Sequence, residues 1–194
     1  MISQKNLEKL TGTHDIVMKA IMYPRIHILK NVLETILGKK IDKIKYLCGE
    51  LPVAQFIRKG NRLDAYVTDM KSYFDIEVSR SFDKYISWRN YAFASQVYMS
   101  TIKQGESYKN YKRTYLINII SGSKQKIPIR IENHLDQGYN KMTNMITEYR
   151  VSIDYFVNLY YNNGNLEEIL KYRYLIMLGL TLKELKIFNE RYGR

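Results

Sequence analysis

Residues 61–80 read NRLDAYVTDMKSYFDIEVSR, and their pattern decides what the rest of the chain must be. Two apolar-rich runs, 62–67 and 73–79, flank a turn at 68–72, so the stretch predicts a β-hairpin. Successive side chains on a strand point to opposite faces. In the second run Phe74, Ile76 and Val78 therefore share one face, and Asp75, Glu77 and Ser79 the other. With Asp64 from the first strand, one hairpin carries three carboxylates. Like charges held close repel unless a cation lies between them, and hard oxygen donors suit Mg²⁺ or Mn²⁺. Alternation by itself fits a solvated acidic face more readily than a metal site, so the hairpin alone leaves both readings open.

Working outward, Thr13 is placed to cap a helix carrying Asp15 in its first turn, which Pro24 interrupts. A second helix is predicted over 25–37. Its Ile28, Leu29, Val32, Leu33, Ile36 and Leu37 keep the spacing of one buried face, and Gly38 stops it. Lys19 and His27 read as exposed or boundary residues, and His27 lacks a second His or Cys at zinc-ligand spacing. Residues 41–51 alternate and end at Glu50, before Pro52. Glu50 is a further candidate acid for the hairpin cluster and equally a surface carboxylate.

After the hairpin a long helix is predicted over 82–104, with Tyr85, Trp88, Ala92, Ser95, Met99 and Ile102 on one face and Arg89 and Gln96 on a neighbouring face directed toward the hairpin. Gly105 closes it. The apolar run 115–120 is the next strand. Strand, helix, strand makes a βαβ unit with parallel strands. Residues 127–132 alternate around Pro128, as an edge strand does. Residues 148–157 alternate again, and Asn162-Asn163-Gly164-Asn165 is a turn. Helices are expected over 166–180 and 181–191, the second opened by a Thr181/Glu184 capping box.

The 194 residues carry 31 Lys and Arg against 19 Asp and Glu, a net charge of +12. That excess favours a polyanionic partner, nucleic acid first of all. A hydrophobic content of 45% with 26% charged residues is that of an ordinary globular protein. We expect a loosely ordered 1–12 and one domain over 13–194, its core at 13–122 and further strands and helices at 123–194. The lone Cys48 excludes an intramolecular disulfide and reads as a small core residue. Residues 1–10 are polar, unlike a secretory leader, and the apolar runs are too short to span a bilayer. A cytoplasmic protein without membrane partner is expected, in a bacterium or the host of a phage. Eighteen tyrosines fit A/T-rich coding, with a base-stacking surface as the functional alternative.

The order of motifs resembles the PD-(D/E)XK nuclease superfamily, and within it the transposase-associated, recombination-promoting branch. Arg62-Leu63-Asp64 and, twelve residues on, Ile76-Glu77-Val78-Ser79 stand where that branch has RLD and IEMQ. HDIVMKAIM at 14–22 is similar to its opening element. ILKNVLETIL at 28–37 and IDKIKYLCGEL at 41–51 are similar to its next helix and the following stretch, and Gln104-Gly105-Glu106 with the strand at 115–120 to its later turn and strand. The likeness covers residues 13–122, with a weaker echo at 147–180.

The resemblance implies an α/β, restriction-endonuclease-like core: a mixed central sheet with a βαβ unit, flanked by helices. It implies hydrolysis of DNA phosphodiesters with Mg²⁺ or Mn²⁺, in transposition, recombination or phage defence. Asp64 and Glu77 would bind the metal with the Val78 carbonyl, and Asp75 and Glu50 are additional acids. Arg62, Arg80, Arg89 and Gln96 would contact nucleic acid, DNA in preference to RNA. A homodimer is expected because duplex cutting needs two active centres. One departure stands out. The family has Gln or Lys where this chain has Ser79, a residue that would help orient the attacking water, and Lys84 is the candidate substitute. The alternative is a catalytically impaired nuclease fold that binds nucleic acid or inhibits a protein.

Overall fold

In the sheet that organises the molecule, the predicted second hairpin strand occupies an interior position. The computed structural model describes residues 9–14, 24–47, 65–81, 83–101, 104–107, 110–123, 125–133, 145–162 and 164–193. Six strands lie within them: β1 (Lys45–Tyr46), β2 (Ala65–Thr68), β3 (Ser72–Ser79), β4 (Arg113–Ile120), β5 (Ile129–Asn133) and β6 (Ile146–Ser152). They form one mixed sheet in the order β1-β2-β3-β4-β6-β5. β2 and β3 are the antiparallel hairpin, β3, β4 and β6 run parallel, and β5 returns antiparallel on β6. The Pro128 segment thus leads into a sheet edge, where a missing N–H disrupts no ladder.

The hairpin turn is held by its own side chains. Asp69 Oδ1 accepts from the Ser72 N–H at 2.6 Å and the Lys71 N–H at 3.0 Å. Met70 takes a left-handed φ of 73°, uncommon for a residue with a Cβ, and its N–H donates to Thr68 Oγ1.

One face of the sheet carries the main core. α1 (Ile26–Leu37) lays Leu29, Val32, Leu33 and Ile36 against Ala65, Val67, Phe74, Ile76, Tyr115, Ile117 and Ile119. The Phe74 and Tyr115 rings stack with centroids 5.2 Å apart. Gly38 closes α1 with φ 64°, the left-handed position that glycine takes without strain. Beyond the next loop, buried Glu34 gathers Lys30 (3.0 Å), Lys40 (3.6 Å) and the Ile41 N–H (2.8 Å).

The C-terminal segment completes this layer through α3 (Ile153–Tyr161), α4 (Leu166–Lys171), α5 (Arg173–Gly179) and α6 (Leu182–Tyr192). Phe156, Ile169, Leu175, Ile176, Leu178 and Phe188 join the same core. The Thr181/Glu184 capping box forms as expected. Thr11 bridges Thr181, and Gly12 lies so close to the Leu178 backbone that a Cβ would meet it at 2.8 Å.

Three expectations change. The alternation at 148–157 is not one strand: β6 ends at Ser152 and α3 starts at Ile153, because Ile153 and Phe156 also satisfy a helical spacing that buries both. The helix expected over 166–180 is broken at Tyr172, which ends α4 and opens α5. The long helix, α2 (Ile86–Thr101), turns its other side inward. It packs on the second face of the sheet through Ile86, Phe93, Ala94 and Val97, all buried, while Tyr85, Trp88, Ala92 and Ser95 face solvent. Residues 85, 88, 92 and 95 and residues 86, 90, 93 and 97 both follow helical spacing, and the small second core of Tyr66, Phe93 and Val97 selects the latter. The helix predicted after Thr13 and the residues Lys19, Cys48, Glu50, Arg62 and Asp64 fall outside the described residues. His27 is exposed, as expected.

Candidate functional site

The site is built on the sheet face beneath α2. Strand alternation puts Asp75, Glu77 and Ser79 there from β3, and the parallel register continues the rows. Glu77 pairs with Asn118 and Asp75 with Leu116 on β4. Asn118 in turn pairs with Arg150, and Leu116 with Glu148, on β6. β5 adds Arg130 and Glu132. Neighbouring strands lie about 4.8 Å apart, so side chains paired on one face are in reach of each other. Glu77 is half-buried, whereas Asp75 is 1% exposed. The acidic face of the hairpin is therefore not solvated: α2 roofs it.

Polar groups fill the layer under this roof. Arg150 is fully engaged, its Nε donating to buried Glu148 at 2.7 Å and its Nη2 to Glu132 (3.0 Å) and to Ser87 Oγ on α2. Among the described residues, Asn118 and Asn90, 2% and 1% exposed, have no hydrogen-bond partner for either amide atom. An amide buried without a partner costs about 1–3 kcal/mol, so their retention in the core needs another reason. Ser87 marks the α2 flank toward β6. Helical geometry then sets Arg89 and Gln96 on the opposite flank of α2. Both are half-buried, and among the described residues Arg89 Nε and Nη2 lack partners.

Burial, then the neighbouring Tyr73 and Asp75, push the Tyr66 phenol far above its ordinary pKa. Tyr66 lies opposite Asp75 in the hairpin register, and it stays a neutral hydroxyl beside the carboxylate. Burial likewise raises Tyr73.

The remaining expected residues lie at the carboxyl end of β3. Ser79 is half-buried and its carbonyl accepts the Ser121 N–H at 2.8 Å. Exposed Arg80 places Nη1 3.3 Å from His14 Nε2. Lys84 is exposed, with its ammonium 4.8 Å above the Tyr85 ring. A cavity of about 600 Å³ opens at the same end of β4, lined by Gly122, Ser123, Lys126, Arg130 and Arg150 among others.

A family model described as PD-(D/E)XK nuclease family transposase matches residues 24–177. The chain belongs to this family. Its sheet is accordingly a restriction-endonuclease-like core, and the protein is nuclease-like and linked to mobile elements. No curated protein and no solved structure matches the chain. Among the described residues no helix is long and apolar enough to cross a membrane.

PD-(D/E)XK nucleases typically use divalent metals, and the donors present fit one in kind. Asp75 and Glu77 supply hard oxygens from one strand face, and the Asn118 amide beside Glu77 offers an oxygen that accepts no hydrogen bond among the described residues. Among the described residues no three His, Cys, Asp or Glu side chains form a complete cluster, and Asp64 and Glu50 lie outside those residues.

Asn90, Asn118 and the Glu148–Arg150–Glu132 group were missed by the sequence reading. Asn118 had a signal: it is the lone polar residue in the run YLINII, on the Glu77 side of the sheet. Asn90 had one also, sitting at helical spacing with Ile86, Phe93 and Val97.

Proposed function

We propose that this protein is a metal-dependent nuclease that hydrolyses DNA phosphodiester bonds. The observation that supports it best is the register of Glu77 with Asn118, a half-buried carboxylate beside a buried amide whose two polar atoms have no partner among the described residues. A protein with only a scaffold to maintain gains nothing from that cost.

On this reading Asp64, Glu77 and the Val78 carbonyl hold Mg²⁺ or Mn²⁺, with Asp75 and Glu50 as further acids. A divalent cation bound there supplies Lewis acidity toward the phosphate and lowers the pKa of a water. The chain's own groups do the rest. Asn118, whose amide makes no hydrogen bond among the described residues, would donate to a water beside Glu77. Arg89, whose guanidinium is half-buried with two nitrogens unpaired, takes a phosphate oxygen, and Arg62, Arg80 and Gln96 hold neighbouring backbone. Lys126 and Arg130, at the mouth of the adjoining cavity, extend that track. Lys84, one swing away from Tyr85, provides the basic group absent at Ser79. Cutting both strands of a duplex calls for two copies acting together, and a host cytoplasm is where such DNA is met.

Plasmid cleavage with Mg²⁺ or Mn²⁺ tests this. Wild type should nick, and Asp64→Ala and Glu77→Ala should each lose about 10²-fold or more in rate. Identical background nicking in all three removes the enzyme. Ser79 favours a second reading, a nuclease fold that binds nucleic acid without cutting it. That reading expects the same null result, together with retained DNA binding whose affinity falls steeply with salt.

A further inference from the structure

The solvent side of α2 carries a group of aromatic residues that the core does not use. Trp88 is 75% exposed, Tyr85 58% and Tyr91 48%. Tyr85 and Trp88 are one turn apart, about 4.5 Å along the axis. Indole and phenol rings left this open on one helix mark a surface that meets something. We propose that this face is a stacking platform for the unpaired bases of single-stranded nucleic acid, placed to hand a strand to the Glu77 site. The proposal rests on the nuclease reading for its direction and goes beyond it by adding a site for unpaired strands beside the duplex that is cut.

Charge and position select the occupant. Lys84 reaches over the Tyr85 ring, Arg80 and Arg89 lie on either side of the helix start, and Asp83 is the acid beside them, its Oδ1 already accepting the Tyr85 N–H. Cations interleaved with aromatic rings are how proteins hold single strands: phosphates meet the charges and bases stack on the rings. A second copy of a chain with net charge +12 would bring like charge against like. In a duplex the bases are already stacked on one another and have no face to offer. β3 ends at Ser79 and α2 begins at Ile86, so the platform starts within a few residues of the candidate site.

Trp88 is the chain's only tryptophan, so its fluorescence reports this surface alone. Full-length Glu77→Ala protein, which cannot consume the ligand, is titrated with oligothymidylate, oligouridylate and a DNA duplex of equal length. Saturable quenching by the single strands, beyond that given by the duplex, is the expected result. By anisotropy of labelled oligothymidylate, Trp88→Ala should weaken binding roughly ten-fold or more, and Trp88→Phe should restore most of it. The duplex affinity of both variants should change far less. Because the position is exposed, matching thermal melts show that the fold is kept. Absence of quenching, equal binding by Trp88→Ala, or self-association abolished by Trp88→Ala with oligonucleotide binding intact would each overturn the platform. Quenching in a protein whose wild type never cuts would uphold the platform while the nuclease reading fails.

Discussion

The two faces of the sheet are made of the same strands and are used for opposite purposes. Toward α1, α3, α5 and α6, β3 presents Phe74, Ile76 and Val78 and β4 Tyr115, Ile117 and Ile119, and Phe74, Ile76, Ile117, Val151, Phe156 and Leu175 are all but sealed from water. Toward α2 the apolar layer is thinner, with Tyr66, Ile86, Phe93, Ala94, Val97, Leu116 and Ile120 buried there. Among them sit the buried polar groups Asp75, Asn90, Asn118 and Glu148, and among the described residues the two Asn amides have no partner. Burial of apolar area drives folding, so the first face supplies the stability that the second spends on chemistry. Strained or under-satisfied groups persist where function requires them and the surroundings over-determine them.

The sharpest way to break this contrast is a cavity on the core side. Phe156→Ala should cost about 3–5 kcal/mol in a urea melt. A loss below about 1 kcal/mol would mean that face is not where the stability resides.

Next comes the one part of the α2 face that is firmly held. Arg150→Met takes the cation from fully buried Glu148 and half-buried Glu132 and should lower stability by about 3 kcal/mol. A double substitution with Glu148→Leu should recover much of it. Failure to recover would show that Arg150 acts through something other than this ion pair.

Glu34 tests the core face by pH. Burial works to raise its pKa, but the Ile41 N–H, Lys30 and Lys40 outweigh it and hold the carboxyl below its ordinary value. A depressed carboxylate adds stability above its unfolded pKa, and that contribution is lost as the pH falls through the folded one. Glu34→Gln should therefore be less stable than wild type by about 1–3 kcal/mol near neutrality. The gap should close progressively below about pH 4. A gap that persists at low pH would trace the loss to packing rather than charge.

The smallest stability effect is expected at the unsatisfied amides, and it is the most telling. Asn118→Leu and Asn90→Leu should leave thermal stability unchanged or raise it by up to about 1 kcal/mol, since each removes a buried group without partners. Asn118→Leu should at the same time weaken Mn²⁺ binding measured by calorimetry. Destabilisation by both variants would instead mark the amides as structural.

How much of this was legible beforehand follows from the residues themselves. The β2–β3 hairpin, the α1 stop at Gly38, the parallel βαβ crossover, the edge strand after Pro128 and the Thr181 cap all carry their cause within a few residues, in alternation, a left-handed glycine or a capping box. The inward side of α2 does not. Two stripes at helical spacing compete there, Tyr85, Trp88, Ala92 and Ser95 against Ile86, Asn90, Phe93 and Val97, and packing on the sheet selects the second. Likewise 148–157 satisfies both a strand and a helix period, and only the end of the β4 ladder decides where one gives way to the other.

Sequence by itself determined the family, the hairpin with its acids on one side, and the positive charge that calls for a polyanion, because local patterning and composition need no partner to be read. Tertiary structure alone decided that Asp75 lies under a roof instead of in water, that Asn118 stands beside Glu77, and that Trp88 is left facing solvent. Those outcomes depend on which surface packs against which, and packing is a contest between distant segments that no single stretch of chain can settle.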